Sequence, residues 1–206
     1  RTYQLIDLDR GQQRWKLTPE IPEGASADEI ALAIAERLKP VDSCRAEQIT
    51  SRIQSFESRV NDLHGHDIPD PSDTYDLARP EGCVPRTVVN QDPQVKRYSL
   101  DATMPGIRFD RDAELWSALD PATQAGVKIH EAFYEEVLLN GNTGADPAIY
   151  LTAILMSSKM RTLSQIDWER FVTEAGLGVC RDGILVGAGP GRSEEHTSEL
   201  QSLRHL

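Results

Sequence analysis

The residues best equipped for chemistry lie in one short run, His130-Glu131-Ala-Phe-Tyr134. Zinc hydrolases use His-Glu-x-x-His because two histidines one helical turn apart can reach one metal, with the glutamate as base. Here Tyr134 stands where the second histidine would be, and no later His or Glu follows at a usual third-ligand spacing. His130, Glu131 and Tyr134 are therefore candidate catalytic residues, and His130 and Glu131 are weak candidate metal ligands. The competing reading is a buried His–Tyr pair, with a carboxylate nearby, that locks the orientation of a helix. Access separates the two. A reacting centre needs a cleft that solvent can reach, whereas a pair sealed beneath Trp116 and Phe133 has no entry route for a substrate.

Other candidate groups are weaker. Cys44, Cys83 and Cys180 are isolated, with no Cys-x-x-Cys and no evident partner base, so thiol catalysis is disfavoured. His64, His66 and the aspartates Asp67, Asp70, Asp73 and Asp76 fit neither an EF-hand nor a zinc spacing. Pro69 and Pro71 hold that stretch extended, and it reads as a solvated acidic loop. Gly187-Ala-Gly-Pro-Gly191 has the glycine content of a phosphate loop, but lacks the long strand before it and the helix after it. No cofactor is assigned.

Composition narrows the partners. The chain has 206 residues and a net charge of −11, the opposite of the basic footprint that nucleic acid or an anionic membrane requires. It contains no run of about 18 apolar residues, so no transmembrane segment is expected. An unidentified protein partner is the remaining class. The chain starts at Arg1, so a natural start and any signal peptide are expected to lie outside it. Residues 192–206 resemble a sequencing adapter translated in one frame, and are read as an artefactual tail behind a globular domain spanning 1–191.

Helices must position the candidates. Asp120-Pro121 is a helix start and Asn140-Gly141 a stop. At about 100° per residue, Ala122, Gly126, Val127, Ile129, Phe133, Val137 and Leu138 share one face with His130 and Tyr134. Gln124, Lys128, Glu131 and Glu135 are expected on the opposite side or its margin. Ser26-Ala-Asp-Glu29 is a capping box opening a helix to about Lys39, ended by Pro40. A second helix is expected from Arg45 to Leu63. Asp112–Leu119 is read as a short helix carrying Trp116, and Trp116, Leu119 and the His130 face are expected to share one core. Asp146-Pro147 is read as the cap of a helix carrying Ile149, Leu151, Ile154, Leu155 and Met156. Thr162-x-x-Gln165 is read as a capping box for the next helix, with Ile166, Phe171 and Val172 inward and Gly176 as its stop. Strands are expected at Thr2–Leu8 and Arg14–Leu17, within Arg79–Gln91 as a turn leading into a strand, at Lys96–Leu100 pairing with that strand and, as a pair, over Val179–Val186.

Six stretches carry a resemblance: Gln54-Ser-Phe56, Asp67-Ile-Pro-Asp70, Pro80-Glu-Gly-Cys83, Lys96-Arg-Tyr98, Leu115-Trp-Ser-Ala-Leu119 and His130-Glu-Ala-Phe-Tyr134. Together, and with Ile154–Met160, they resemble a family of uncharacterised, predicted exported bacterial proteins with Pro-x-Gly-Cys, Arg-Tyr, Leu-Trp-x-x-Leu and His-Glu-x-x-Tyr motifs. The likeness covers roughly Leu5–Gly176. Members usually carry Arg after the motif tyrosine, where this chain has Glu135. The resemblance implies a fold and an extracytoplasmic, periplasmic or secreted, location rather than a reaction. An export history would allow a Cys44–Cys83 disulfide, or a bond from Cys83 to a cysteine outside this chain. The expected architecture is α+β: one predominantly helical domain with small antiparallel β-strands. The expected role is a structural or interaction module of the bacterial envelope, and the alternative is a metal-dependent hydrolase centred on His130-Glu131-x-x-Tyr134.

Overall fold

The computed structural model describes residues 3–24, 26–65, 68, 86–91, 107–142, 144–181 and 184–186. The fold is α+β and predominantly helical. Its contacts fall into two compact units, one built from the residues up to Ile53 and from Pro121 onward, the other from Gln54 to Asp120. Among the described residues, no helix is long and apolar enough to cross a membrane.

The first unit is helical. α1 (Ile6–Trp15), α2 (Ala27–Ala35), α3 (Ser43–Ser55), α5 (Pro121–Leu139), α6 (Asp146–Leu155) and α7 (Gln165–Glu174) are followed by a hairpin of β4 (Val179–Arg181) and β5 (Ile184–Val186). α5 packs on α2 and on α6, and α1 lies along α6. Ile30, Ile34, Ile49, Ile53, Ile129, Phe133, Leu151, Ile154, Trp168 and Val172 meet in one core. Each such side chain removed from water contributes about 1.5–3 kcal/mol.

Local chemistry explains the helix ends. The Ser26 hydroxyl accepts from the Glu29 amide and the Glu29 carboxylate accepts from the Ser26 amide, which completes the expected box. α2 then tightens into a turn at Glu36–Leu38, because Pro40 has no N–H to continue the ladder. α5 ends where Gly141 takes φ +81°, so that Asn142 N–H reaches Val137 O and Gly141 N–H reaches Leu138 O. The same pair of bonds ends α7 at Gly176.

Several expectations are corrected. Thr2–Leu8 and Arg14–Leu17 are not paired strands; residues 6–15 form α1. Over the short window the alternation around Leu5 and Leu8 suits a strand, but Leu5, Leu8 and Trp15 together repeat at helical spacing and pack on the core. Gly11 is buried in α1 and lets it approach α6. Helix α3 stops at Ser55 rather than Leu63, and Val60–Leu63 becomes a strand. Asp146 is the first residue of α6 rather than its cap, which is Ala145. α7 is capped by Ser164, whose hydroxyl accepts from Asp167 N–H, and not by Thr162. Ile166 points outward at 79% exposure, and Trp168, fully buried, takes the inward place.

The second unit holds β1 (Val60–Leu63), β2 (Val89–Gln91), β3 (Phe109–Asp112) and α4 (Ala113–Ala118). The strand order is β1-β3-β2, with β1 parallel and β2 antiparallel to β3. The sheet is thus mixed rather than antiparallel, since β1 and β3 run parallel with partners 49 positions apart, a pairing no tight hairpin can make. Asp112 caps α4 through the Leu115 amide. The expected strand Lys96–Leu100 lies outside the described residues, and β2 pairs with β3. Phe56 packs on Phe109 and Trp116, with ring centroids 5.3 and 6.0 Å away. Arg111 grips its in-register neighbour Asp62 with Nε and Nη2 at 2.7 and 3.0 Å, reaches Glu57 at 2.9 Å and lies over Trp116 at 4.7 Å. The Arg111 hydrogen bonds hold the Asp62 carboxyl below its ordinary value, against a smaller opposing effect of burial.

Two outcomes follow. A Cβ on Gly11 would stand 2.9 Å from Ala153 Cβ, a contact neither backbone can swing away from. Gly11→Ala should therefore lower stability by about 1–3 kcal/mol in thermal melts despite its better helix propensity, and adding Ala153→Gly should recover part of the loss. Asp62 is depressed when folded, so its contribution is complete above the ordinary carboxylate value and is lost as pH falls through the folded one. Asp62→Asn should flatten the acid limb below about pH 4 when ellipticity is followed against pH.

Candidate functional site

α5 carries the candidate residues, and its surroundings decide what they can do. The helix is buried on nearly all sides: Lys128, Glu131, Glu135 and Glu136 are each less than 8% exposed. The expected division into an apolar face and a polar face is therefore corrected for Lys128, Glu131 and Glu135. Other helices cover the side that solvent would occupy on a surface helix, so its charges must find partners in the interior.

They find them on three different helices. His130 Nδ1 lies 3.1 Å from Asp7 Oδ2 and 3.2 Å from Oδ1, joining α5 to α1. Lys128 Nζ lies 2.7 Å from Asp28 Oδ1, joining it to α2. Glu136 receives Arg45 Nε at 3.2 Å on both oxygens and Nη2 at 2.9 Å on Oε1, joining it to α3.

The Arg45 site is the most elaborate. This guanidinium is fully buried. Besides Glu136 it binds the Asp42 carboxylate through Nη1 and donates from Nη2 to Gly178 O at 2.6 Å. Asp42 is held in turn by Trp168 Nε1 at 2.9 Å and by the Arg45 amide at 3.0 Å. Burial would lower the Arg45 pKa, but Glu136 and then Asp42 outweigh it and raise it, so the charge is permanent. Arg52 adds a bond to Ala132 O at 3.1 Å and stands 3.7 Å from Glu136.

Beside this network Cys44 and Cys180 form a disulfide with Cα atoms 6.1 Å apart, closing a separation of 136 positions. The Cys44–Cys83 pairing is thereby corrected: Cys44 is spent on Cys180, because the return of β4 past α3 sets these two side by side. Cys83 lies outside the described residues. A recess of about 260 Å³ opens at the bond, lined by Lys39, Asp42, Ser43, Gln165 and both cysteines.

His130 and Tyr134 come together as expected, with ring centroids 6.0 Å apart. The His130 side chain is 17% exposed, whereas Asp7 is sealed at 1%. Asp7 lies against Nδ1 and orients the imidazole ring. Among the described residues, no cluster of three or more His, Cys, Asp or Glu is arranged to hold a metal ion. In the second unit His64 is exposed, with Nδ1 3.3 Å from Glu114 Oε1. His66 and Asp67, Asp70, Asp73 and Asp76 lie outside the described residues, as do Gly187–Gly191 and 192–206. Compared with protein-family models, curated proteins and solved structures, the chain matches none.

Sequence reasoning missed Asp7, Asp42, Arg45 and Glu136. A signal for Asp7 was available: read at helical period, residues 5–15 place it on a helix that must pack against the core. For Arg45 and Glu136, 91 positions apart, there was none.

Arg45→Met should destabilise by about 3–5 kcal/mol, because it strands the Glu136 and Asp42 carboxylates in the interior. Glu136→Leu should cost less, because Asp42 still pairs with Arg45, and the double variant should recover only the part of the Arg45→Met loss that Glu136 causes, a coupling that denaturant melts of the four proteins will measure.

Proposed function

We propose that this chain is an extracytoplasmic structural or interaction module, held rigid by covalent and ionic ties, whose partner is an unidentified protein or envelope component. The observation that carries the reading is the Cys44–Cys180 disulfide, which fastens the first turn of α3 to the hairpin strand β4. Disulfides persist in oxidising compartments and are rare where thiol buffers keep cysteines reduced. The resemblance to predicted exported bacterial proteins, carried by the motifs from Gln54 to Tyr134, supports the same location. The acidic balance favours a protein partner over nucleic acid.

His130 fits this reading as an internal tie. Its Nδ1 is committed to Asp7, and Glu131 is buried beside it. The alternative is a metal-dependent hydrolase centred on His130-Glu131-x-x-Tyr134.

Elemental analysis of the purified chain and of its His130→Ala variant separates the two. We expect no stoichiometric transition metal in either protein. We also expect the variant's melting temperature to fall by on the order of 10 °C, since it leaves the Asp7 carboxylate buried without its partner. Stoichiometric zinc in the native chain, lost in the variant, would overturn the module reading in favour of the hydrolase.

A further inference from the structure

The same disulfide is placed to be opened as well as to brace, and this goes beyond the reading above. Cys44 and Cys180 are half-buried rather than sealed, and both line the recess, so an incoming thiol can approach the sulfurs from solvent. The two sulfurs are not equivalent. Cys44 is the second residue of the 13-residue helix α3, in its first turn, where the helix dipole favours a negative charge and the Arg45 amide is already taken by Asp42. Gln48, one turn on, directs its Nε2 at Cys44 Sγ from 3.9 Å. Lys39 stands in the recess wall. Asp42, which also lines the recess, pairs its charge with the Arg45 guanidinium and accepts from the Arg45 amide and from Trp168 Nε1, while Lys39 is paired with Glu36 at 2.6 Å. Cys180 lies in β4 and has no helix terminus of its own.

We propose that Cys44–Cys180 is a thiol-exchange site for a dithiol reductant, with Cys180 the sulfur attacked and Cys44 the leaving thiolate. The attacking thiolate forms a bond to Cys180 Sγ, the Cys44–Cys180 bond breaks, and its electron pair stays on Cys44 Sγ. The reductant's second thiolate then attacks its own sulfur in the mixed disulfide and releases Cys180 as a thiolate, which takes a proton. The dithiol leaves as a disulfide, and the protein carries two reduced cysteines. The polarity set by α3 matters because a leaving thiol whose pKa falls by one unit leaves roughly threefold faster.

The test uses the full chain with Cys83→Ser, so that no third thiol competes. In native buffer the bond should be reduced by dithiothreitol at a rate proportional to the reagent, with the far-ultraviolet dichroism unchanged. Glutathione quenched with acid and mapped by mass spectrometry should be found on Cys180. Gln48→Leu should slow reduction about threefold. In a Cys180→Ser variant, the iodoacetamide rate of Cys44 should show a midpoint below the ordinary thiol value of about 8.5. Reduction no faster than global unfolding, or glutathione on Cys44, would overturn the proposal. Mapping on the oxidised chain stands even if Cys180→Ser does not fold. Metal content and the His130 variant's melting temperature are independent of both results, so failure here leaves the module reading to its own test.

Discussion

A guanidinium without access to water sets the terms for the helical unit. Arg45 is fully buried, and removing such a charge from solvent costs several kcal/mol unless every donor is used. Its donors are used on Glu136, Asp42 and the Gly178 carbonyl, groups drawn from α5, from the turn before α3 and from the approach to β4. Three distant segments must therefore arrive together before the charge is satisfied. Apolar packing alone would tolerate a sliding of α3 along α5, since Ile49 and Ile53 could trade neighbours at small cost. The forked geometry of Arg45 and Glu136 does not tolerate it.

The disulfide acts on the same locus from the covalent side. Cys44 precedes Arg45, and Cys180 follows Gly178 by two positions, so the bond and the Gly178 hydrogen bond hold the same stretch of chain. Closing a loop of that length removes on the order of 4–5 kcal/mol of freedom from the unfolded chain in the chain-entropy view. The ionic contacts specify where β4 lies, and the covalent bond limits how far it can stray when they open. Division of labour of this kind suits a bond that can be exchanged, because Arg45 still holds Gly178 after the sulfurs part.

Legibility followed locality. Features decided within one turn could be read: the Ser26–Glu29 box, the Gly141 and Gly176 stops, a short helix beginning near Asp112, and the apolar stretch from Ile149 to Met156. Features decided by a distant partner could not. Val60–Leu63 continues the apolar spacing of α3, and only β3, 49 positions away, makes it a strand. The α1 segment was misread because a six-residue window catches its alternation but not its return at Gly11 and Trp15. Cysteine pairing has no local signature, so Cys44 could have met either of the others.

α5 shows how a buried helix distributes its polar residues among its neighbours. Packed against α1, α2, α3 and α6, the helix pairs Lys128, His130 and Glu136 each with a different neighbour. His-Glu-x-x-Tyr is thus the visible part of a longer pattern, Lys128-x-His130-x-x-x-x-x-Glu136, whose positions turn around the helix instead of converging on one point. With one tie on each of three helices, α5 cannot rotate or slide without breaking one of them. The polar residues of this helix specify its position, and the apolar ones supply most of the stabilisation.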